Sequence, residues 1–109
     1  MKKTYNKLVR DKIPSVIAKD NKKCTYHIAE GKEQLKYLFS KLHEETLELE
    51  GATTREEVLE EIADIEDVLA MIALKYNWSE NDIYIKRLNK CTKNGLFKEF
   101  IILDSVEEE

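Results

Sequence analysis

Apolar positions fall into two long helical patterns. In the first, running from about 31 to 50, Leu35, Leu38, Leu42, position 45 and Leu49 form a seam with spacings of 3, 4, 3 and 4. Such spacing puts all five side chains on one face of an α-helix. The second pattern, from about 54 to 77, has its seam at Val58, Ile62, Ile65, Leu69, Ile72 and Tyr76. A stripe of Glu61, Asp64, Val68 and Met71 flanks it, acidic toward the helix start and apolar toward its end. A third helical pattern covers about 80 to 93. Pro14 suits the first turn of a short helix among Ile13, Val16 and Ile17. Cys24 to Ala29 is β-branched and aromatic enough for a short strand. Phe100-Ile101-Ile102-Leu103, within the tail from Phe97 to Val106, reads as an edge strand. The three closing Glu residues, 107 to 109, read as a frayed acidic end.

The helix limits carry their own signals. Gly51 is expected to adopt a positive φ and close the first long helix. Thr54 with Glu57 fits a capping box for the second, hydroxyl and carboxylate satisfying free backbone N–H groups reciprocally. Ser79 caps the third, with Glu80 and Asp82 where the helix dipole favours negative charge, and Gly95 ends it.

These elements predict an all-α fold over 1–109 as a single domain: an antiparallel helical hairpin, a shorter third helix and short edge strands. The run from Val68 to Leu74 is apolar on every side and needs more neighbours than one hairpin supplies. A homodimer or higher homo-oligomer, pairing hairpins into a four-helix core, meets that need.

Composition changes the picture only in part. The chain has 109 residues, 37% of them charged, and a net charge of −4. An acidic chain has no general electrostatic drive onto nucleic acid or an anionic membrane. No run approaches the roughly 18 apolar residues of a membrane span, and no apolar run follows the basic start, so no membrane partner and a cytoplasmic location are expected. Cys24 and Cys91 lie far apart and make no disulfide framework; they read as thiols in a reducing compartment.

The break in the first seam carries the chemistry. Position 45 is Glu, with Glu48 one turn further on. A carboxylate in an apolar seam is costly unless something pairs with it, and no Lys or Arg is expected near enough on either helix face to do so. In an antiparallel hairpin, Glu45 with Glu48 and Glu61 with Asp64 converge, each pair at i and i+3. Four converging carboxylates repel, and a hard divalent cation is the simplest compensation. The competing reading is a solvated acidic face, since any Glu-rich helix offers some i,i+3 pairs; Glu50, Glu56, Glu57, Glu60 and Glu66 fit that description.

Glu44-Glu45-Thr46-Leu47-Glu48, then twelve residues, then Glu61-Ile62-Ala63-Asp64, resembles the EExxE…ExxD signature of the MazG-like all-α nucleoside triphosphate pyrophosphohydrolases. That superfamily includes phosphoribosyl-ATP pyrophosphohydrolase. The opening from Tyr5 to Pro14 is similar to that of its small house-cleaning branch, and Lys93 to Phe97 followed by Ile101-Ile102-Leu103 is similar to that branch's closing segment. The resemblance thus spans nearly the whole chain.

It implies a Mg²⁺-dependent enzyme, with Mn²⁺ able to substitute, that splits a nucleoside triphosphate between the α and β phosphates into monophosphate and pyrophosphate. By position it implies Glu45, Glu48, Glu61 and Asp64 as metal ligands. Glu44 and Asp67 would assist with metal or water, and Glu48 or Glu45 would be the catalytic base. Arg10 and Lys12 are candidate phosphate partners, as are Lys86, Lys90 and Lys93, which share a face of the third helix beside Arg87. The lysine stripe reads equally as a wet helix face. Two further functions remain open: phosphoribosyl-ATP pyrophosphohydrolase itself, and a non-catalytic helical module that binds nucleotide or protein.

Overall fold

In a computed structural model that describes residues 1–108, Pro14 starts a short helix, α1, over Ile13–Lys19. Its fixed φ suits the first turn, where its missing N–H costs nothing. Three longer helices follow: α2 over Lys32–Gly51, α3 over Arg55–Lys75 and α4 over Glu80–Asn94. The fold is all-α, as the 3.6-residue pattern predicts. Glu109 lies outside the described residues, so the expected frayed end is described only for Glu107 and Glu108.

Two compact units divide the chain, Met1–Asn77 and the stretch from Trp78 onward. In the first, α2 and α3 pack against each other as a helical hairpin. In the second, α4 carries a complete capping box. Ser79 Oγ accepts from the Asp82 N–H at 3.1 Å, and the Asp82 carboxylate accepts from the Ser79 N–H at 2.8 Å. Gly95 follows with φ 82°, a left-handed value that glycine adopts without strain.

The caps of the hairpin differ in detail from expectation. Thr54 Oγ1 accepts from the Glu57 N–H at 3.1 Å, but the Glu57 carboxylate takes the Thr53 N–H at 3.2 Å instead of that of Thr54. The box is therefore shifted by one residue on its return arm. Gly51 is the last residue of α2 and does not take a positive φ; Ala52 follows in extended conformation. The left-handed glycine of this hairpin is Gly31, φ 57°, at the start of α2.

Neither expected strand forms among the described residues; 24–29 and 100–103 are irregular. β-propensity describes a fit to a pleated, half-buried surface, and it needs a partner strand to act. Tyr26, Ile28, Ile101 and Ile102 are all exposed.

The core of the hairpin is narrow. On α2 the seam is inside as predicted: Leu38 and Glu45 are buried, and Leu35, Leu42 and Leu49 are half-buried. On α3 the inward face is rotated from the expected one. Val68 is buried and Glu61, Asp64, Ile65 and Ile72 are half-buried, whereas Val58, Ile62, Leu69 and Tyr76 are exposed. What reads in sequence as a flanking acidic stripe is the face that meets α2. Ile65 and Ile72 of the expected core stripe border that face, and its remaining members lie about 60–100° around the helix, at 100° per residue.

Candidate metal centre

The rotation of α3 brings its acids onto Glu45. Glu45, Glu61 and Asp64 each offer a carboxylate oxygen, and these three atoms lie within 4.8 Å of one another. Glu45 projects from the middle of the α2 seam and is only 4% exposed. Glu61 and Asp64 are one turn apart on the facing side of α3. Glu45 Oε2 and Glu61 Oε2 are buried without a hydrogen-bond partner. A buried carboxylate oxygen left in this state is costly, so the two orphaned atoms mark a place where a cation would be stabilised.

The electrostatics follow from this crowding. The Glu61 carboxyl is pushed up to about 7, first because its protonated form would donate a hydrogen bond to the neighbouring Glu45, then by desolvation and by the charges of Glu45, Glu48 and Asp64. Such a shift is expected where like charges share a site. Glu48 is exposed and stands outside the close group. Its pKa is also raised, by desolvation first and then by Glu45 and Glu44.

Cations ring the outside of the cluster. Contrary to the sequence expectation, Glu45 does have a basic partner. Lys41, one turn earlier on α2, places Nζ 3.3 Å from Glu45 Oε1 and 3.4 Å from Glu44 Oε1. The signal was present in the sequence as a Lys at i−4 from the buried Glu. Lys7 Nζ reaches Glu44 Oε1 at 3.2 Å. Desolvation acts to raise the Glu44 pKa, and the Lys7 hydrogen bond with the Lys41 and Lys7 charges outweighs it, leaving the group lowered.

Arg10 comes from outside the hairpin. One guanidinium nitrogen sits 2.6 Å from Asp64 Oδ1 and 2.8 Å from Asp67 Oδ2. Its hydrogen bonds to Asp64 and then Asp67 raise the Arg10 pKa further. The residue expected to grip phosphate is thus held by two acids of α3. Lys12 stands just before α1 and is exposed. Lys86, Lys90 and Lys93 are exposed on α4, in the second unit.

Six acids, Glu44, Glu45, Glu48, Glu61, Asp64 and Asp67, therefore meet three cations, Lys7, Arg10 and Lys41. Negative charge remains in excess, and Glu45 Oε2 and Glu61 Oε2 have no hydrogen-bond partner. An all-oxygen carboxylate set of this kind suits a hard divalent cation such as Mg²⁺ or Mn²⁺. The fit rests on Glu45, a nine-tenths buried carboxylate with one oxygen unpartnered beside two further acids.

The wider surroundings are plain. No helix among the described residues is long and apolar enough to cross a membrane. His27 has Nε2 2.7 Å from the Glu33 carboxylate. No family model, curated protein or solved structure matches the chain.

Proposed function

We propose that this chain is a nucleotide pyrophosphohydrolase that uses Mg²⁺ or Mn²⁺ to cleave a nucleoside triphosphate between its α and β phosphates. The observation that carries the reading is the convergence of Glu45, Glu61 and Asp64 with two buried, unpartnered oxygens among them. The sequence signature that contains these three residues, EExxE…ExxD, supports the same assignment.

In this reading Glu45, Glu61 and Asp64 hold the ion, with Glu48 joining from the exposed rim. When bound, the ion supplies charge neutralisation to the phosphate oxygens and the departing pyrophosphate. The chain's own residues do the rest. Glu48, open to solvent and with a raised pKa, is placed to accept the proton of the attacking water; Glu45 is the second candidate. Asp67 and Glu44, each already tied to a cation, shape the rim. Lys12, on the same unit as the acids, is the candidate phosphate partner.

The active assembly is proposed to be a homodimer. The apolar stripe Val58, Ile62 and Leu69 lies exposed along α3, and a second copy of the hairpin would bury it as a four-helix core. A nucleotide-pool role in the cytoplasm is the biological setting this chemistry fits.

The test is pyrophosphate release across a nucleotide panel with Mg²⁺ or Mn²⁺, phosphoribosyl-ATP included. A variant carrying both Glu48→Gln and Glu61→Gln is the blank. Metal-dependent release that the blank lacks supports the reading, and the best substrate separates a general nucleotide enzyme from a phosphoribosyl-ATP one. Silence from a folded protein that the metal stabilises would overturn the enzymatic reading in favour of a binding role.

A further inference from the structure

The amino-terminal segment crosses the acidic centre and is fastened on both sides of it. Lys7 is bonded to Glu44 on α2, and Arg10 three residues later is bonded to Asp64 and Asp67 on α3. Nothing local imposes this: Arg10 and Asp64 are 54 residues apart. Local helix pairs are the ones that arise by default from spacing alone, and this is not one of them. The Arg10–Asp64 contact is short at 2.6 Å, and a single nitrogen serves both acids.

A further regularity concerns the oxygens. Glu45 gives Oε1 to Lys41 and leaves Oε2 unpartnered; Asp64 gives Oδ1 to Arg10. Each of these two carboxylates is held through one oxygen by a basic side chain, Lys41 from the same helix and Arg10 from outside the hairpin. A carboxylate tethered in this way has lost a torsional freedom, and its other oxygen is fixed in direction. Groups that hold ligands from behind commonly decide how well an ion is bound.

We infer that Arg10 is a positioning residue for the metal centre: by clasping Asp64 and Asp67 it docks the segment 7–10 across the hairpin and orients Asp64 toward the ion. This rests on the metal-binding reading proposed above. It assigns Arg10 to the back of the centre instead of to the substrate's phosphates.

Charge and positioning act on divalent binding with opposite signs here. Arg10 is a cation beside a cation site. If it acted only through its charge, its removal would tighten divalent binding, because like charges repel. If it positions Asp64, its removal weakens binding, by roughly tenfold or more on the pattern of residues that orient metal ligands.

Calorimetric titration of the full chain with Mn²⁺ separates the two. Wild type, Arg10→Gln and Arg10→Lys are compared, with Lys19→Gln, at an exposed position on α1, as a charge control. The expected result is a Kd at least tenfold weaker for Arg10→Gln. Arg10→Lys should fall between, since it keeps the charge but not the forked donor geometry. Lys19→Gln should match the wild type. Amide exchange over residues 5–12 should slow on adding Mn²⁺ to the wild type and stay unchanged in Arg10→Gln. Because Arg10 is more than half exposed, the variant is expected to fold; should it not, the Arg10→Lys Kd decides alone. Equal or tighter binding by the substituted chains would overturn the inference while leaving the metal centre standing. No Mn²⁺ binding by the wild type would overturn both.

Discussion

Lys41 Nζ lies 3.3 Å from Glu45 Oε1, one helical turn below it on the same helix, and both side chains are shielded from water. The pair stands where a leucine seam would otherwise run. Lys41 supports a buried charge and also holds it by one oxygen, leaving Oε2 without a partner.

Removing the lysine should therefore destabilise the chain more than an ordinary surface substitution. Lys41→Met retains the length and apolar stem of the side chain but strands a buried carboxylate. The expected loss is about 1–3 kcal/mol, the usual cost of leaving a buried acceptor unsatisfied. Lys98→Met, at an exposed position, should change stability by no more than about 0.5 kcal/mol. Urea unfolding of the metal-free protein measures both. Equal effects would mean that the Lys41–Glu45 pair carries no net stabilisation.

Substitution of the buried acid tests the centre from the other side. Glu45→Gln keeps the shape and removes the charge. In the wild type, a divalent ion at a hundredfold excess over its Kd should stabilise the native state by about 2.7 kcal/mol, because it binds that state alone. For a chain of this size each kcal/mol corresponds to roughly 4–8 °C in Tm. Thermal melts with and without Mg²⁺ should show the shift in the wild type and little of it in Glu45→Gln. A full shift in the variant would remove Glu45 from the ligand set.

How much of this was legible in the sequence depends on the distance over which each feature acts. The α2 seam with Glu45 inside it was legible, because a side chain's place on a helix face follows from spacing. The partner of Glu45 was legible too, at i−4, but only to a reading that looked for pairs within the helix. The face of α3 was misjudged by about 60–100°. Val58, Ile62, Leu69 and Tyr76 have the spacing of a core, and an exposed apolar stripe has the same periodicity as a buried one. Arg10 on Asp64 could not be read at all. That contact spans 54 residues, and no local rule joins an irregular segment to a helix face. The expected strands failed for a related reason: their residues have the propensity, and pairing is a property of partners.

Acidity should have a distinctive effect on the metal-free chain. In the folded chain the Glu61 carboxyl is pushed up to about 7, from an ordinary value near 4.5. The folded state thus holds this proton more tightly than the unfolded state does. The resulting stabilisation is fully present below about pH 4.5 and is lost as pH rises through about 7. The raised Glu48 acts in the same sense, and the lowered Glu44 in the opposite sense, its contribution lost as pH falls. Between about pH 4.5 and 7 the metal-free protein should lose stability with rising pH. Glu61→Gln should flatten that slope, and saturating Mg²⁺ should reverse it, since the ion competes with the proton for the same oxygens. Chemical unfolding at a series of pH values decides the matter; a wild-type slope unchanged by Glu61→Gln would place the proton elsewhere.

The exposed stripe on α3 makes the last prediction. Ile62 and Leu69 are each more than two-fifths exposed, and seven residues separate them, two turns along one face. Leu38 and Val68 are the buried hydrophobic residues among those described, a small core for two helices of this length. A second copy of the hairpin, laid against the stripe, would enlarge that core without disturbing Glu61 and Asp64, which face α2. Leu69→Asp puts a charge into such an interface and should convert a dimer into a monomer in sedimentation velocity, with a lower and concentration-independent Tm. The wild-type Tm should rise with protein concentration. Val16→Asp, an exposed apolar position on α1, is the comparison and should leave the assembly intact. If the wild type sediments as a monomer at every concentration, or if Leu69→Asp remains a dimer, the stripe is not where two copies of this chain meet.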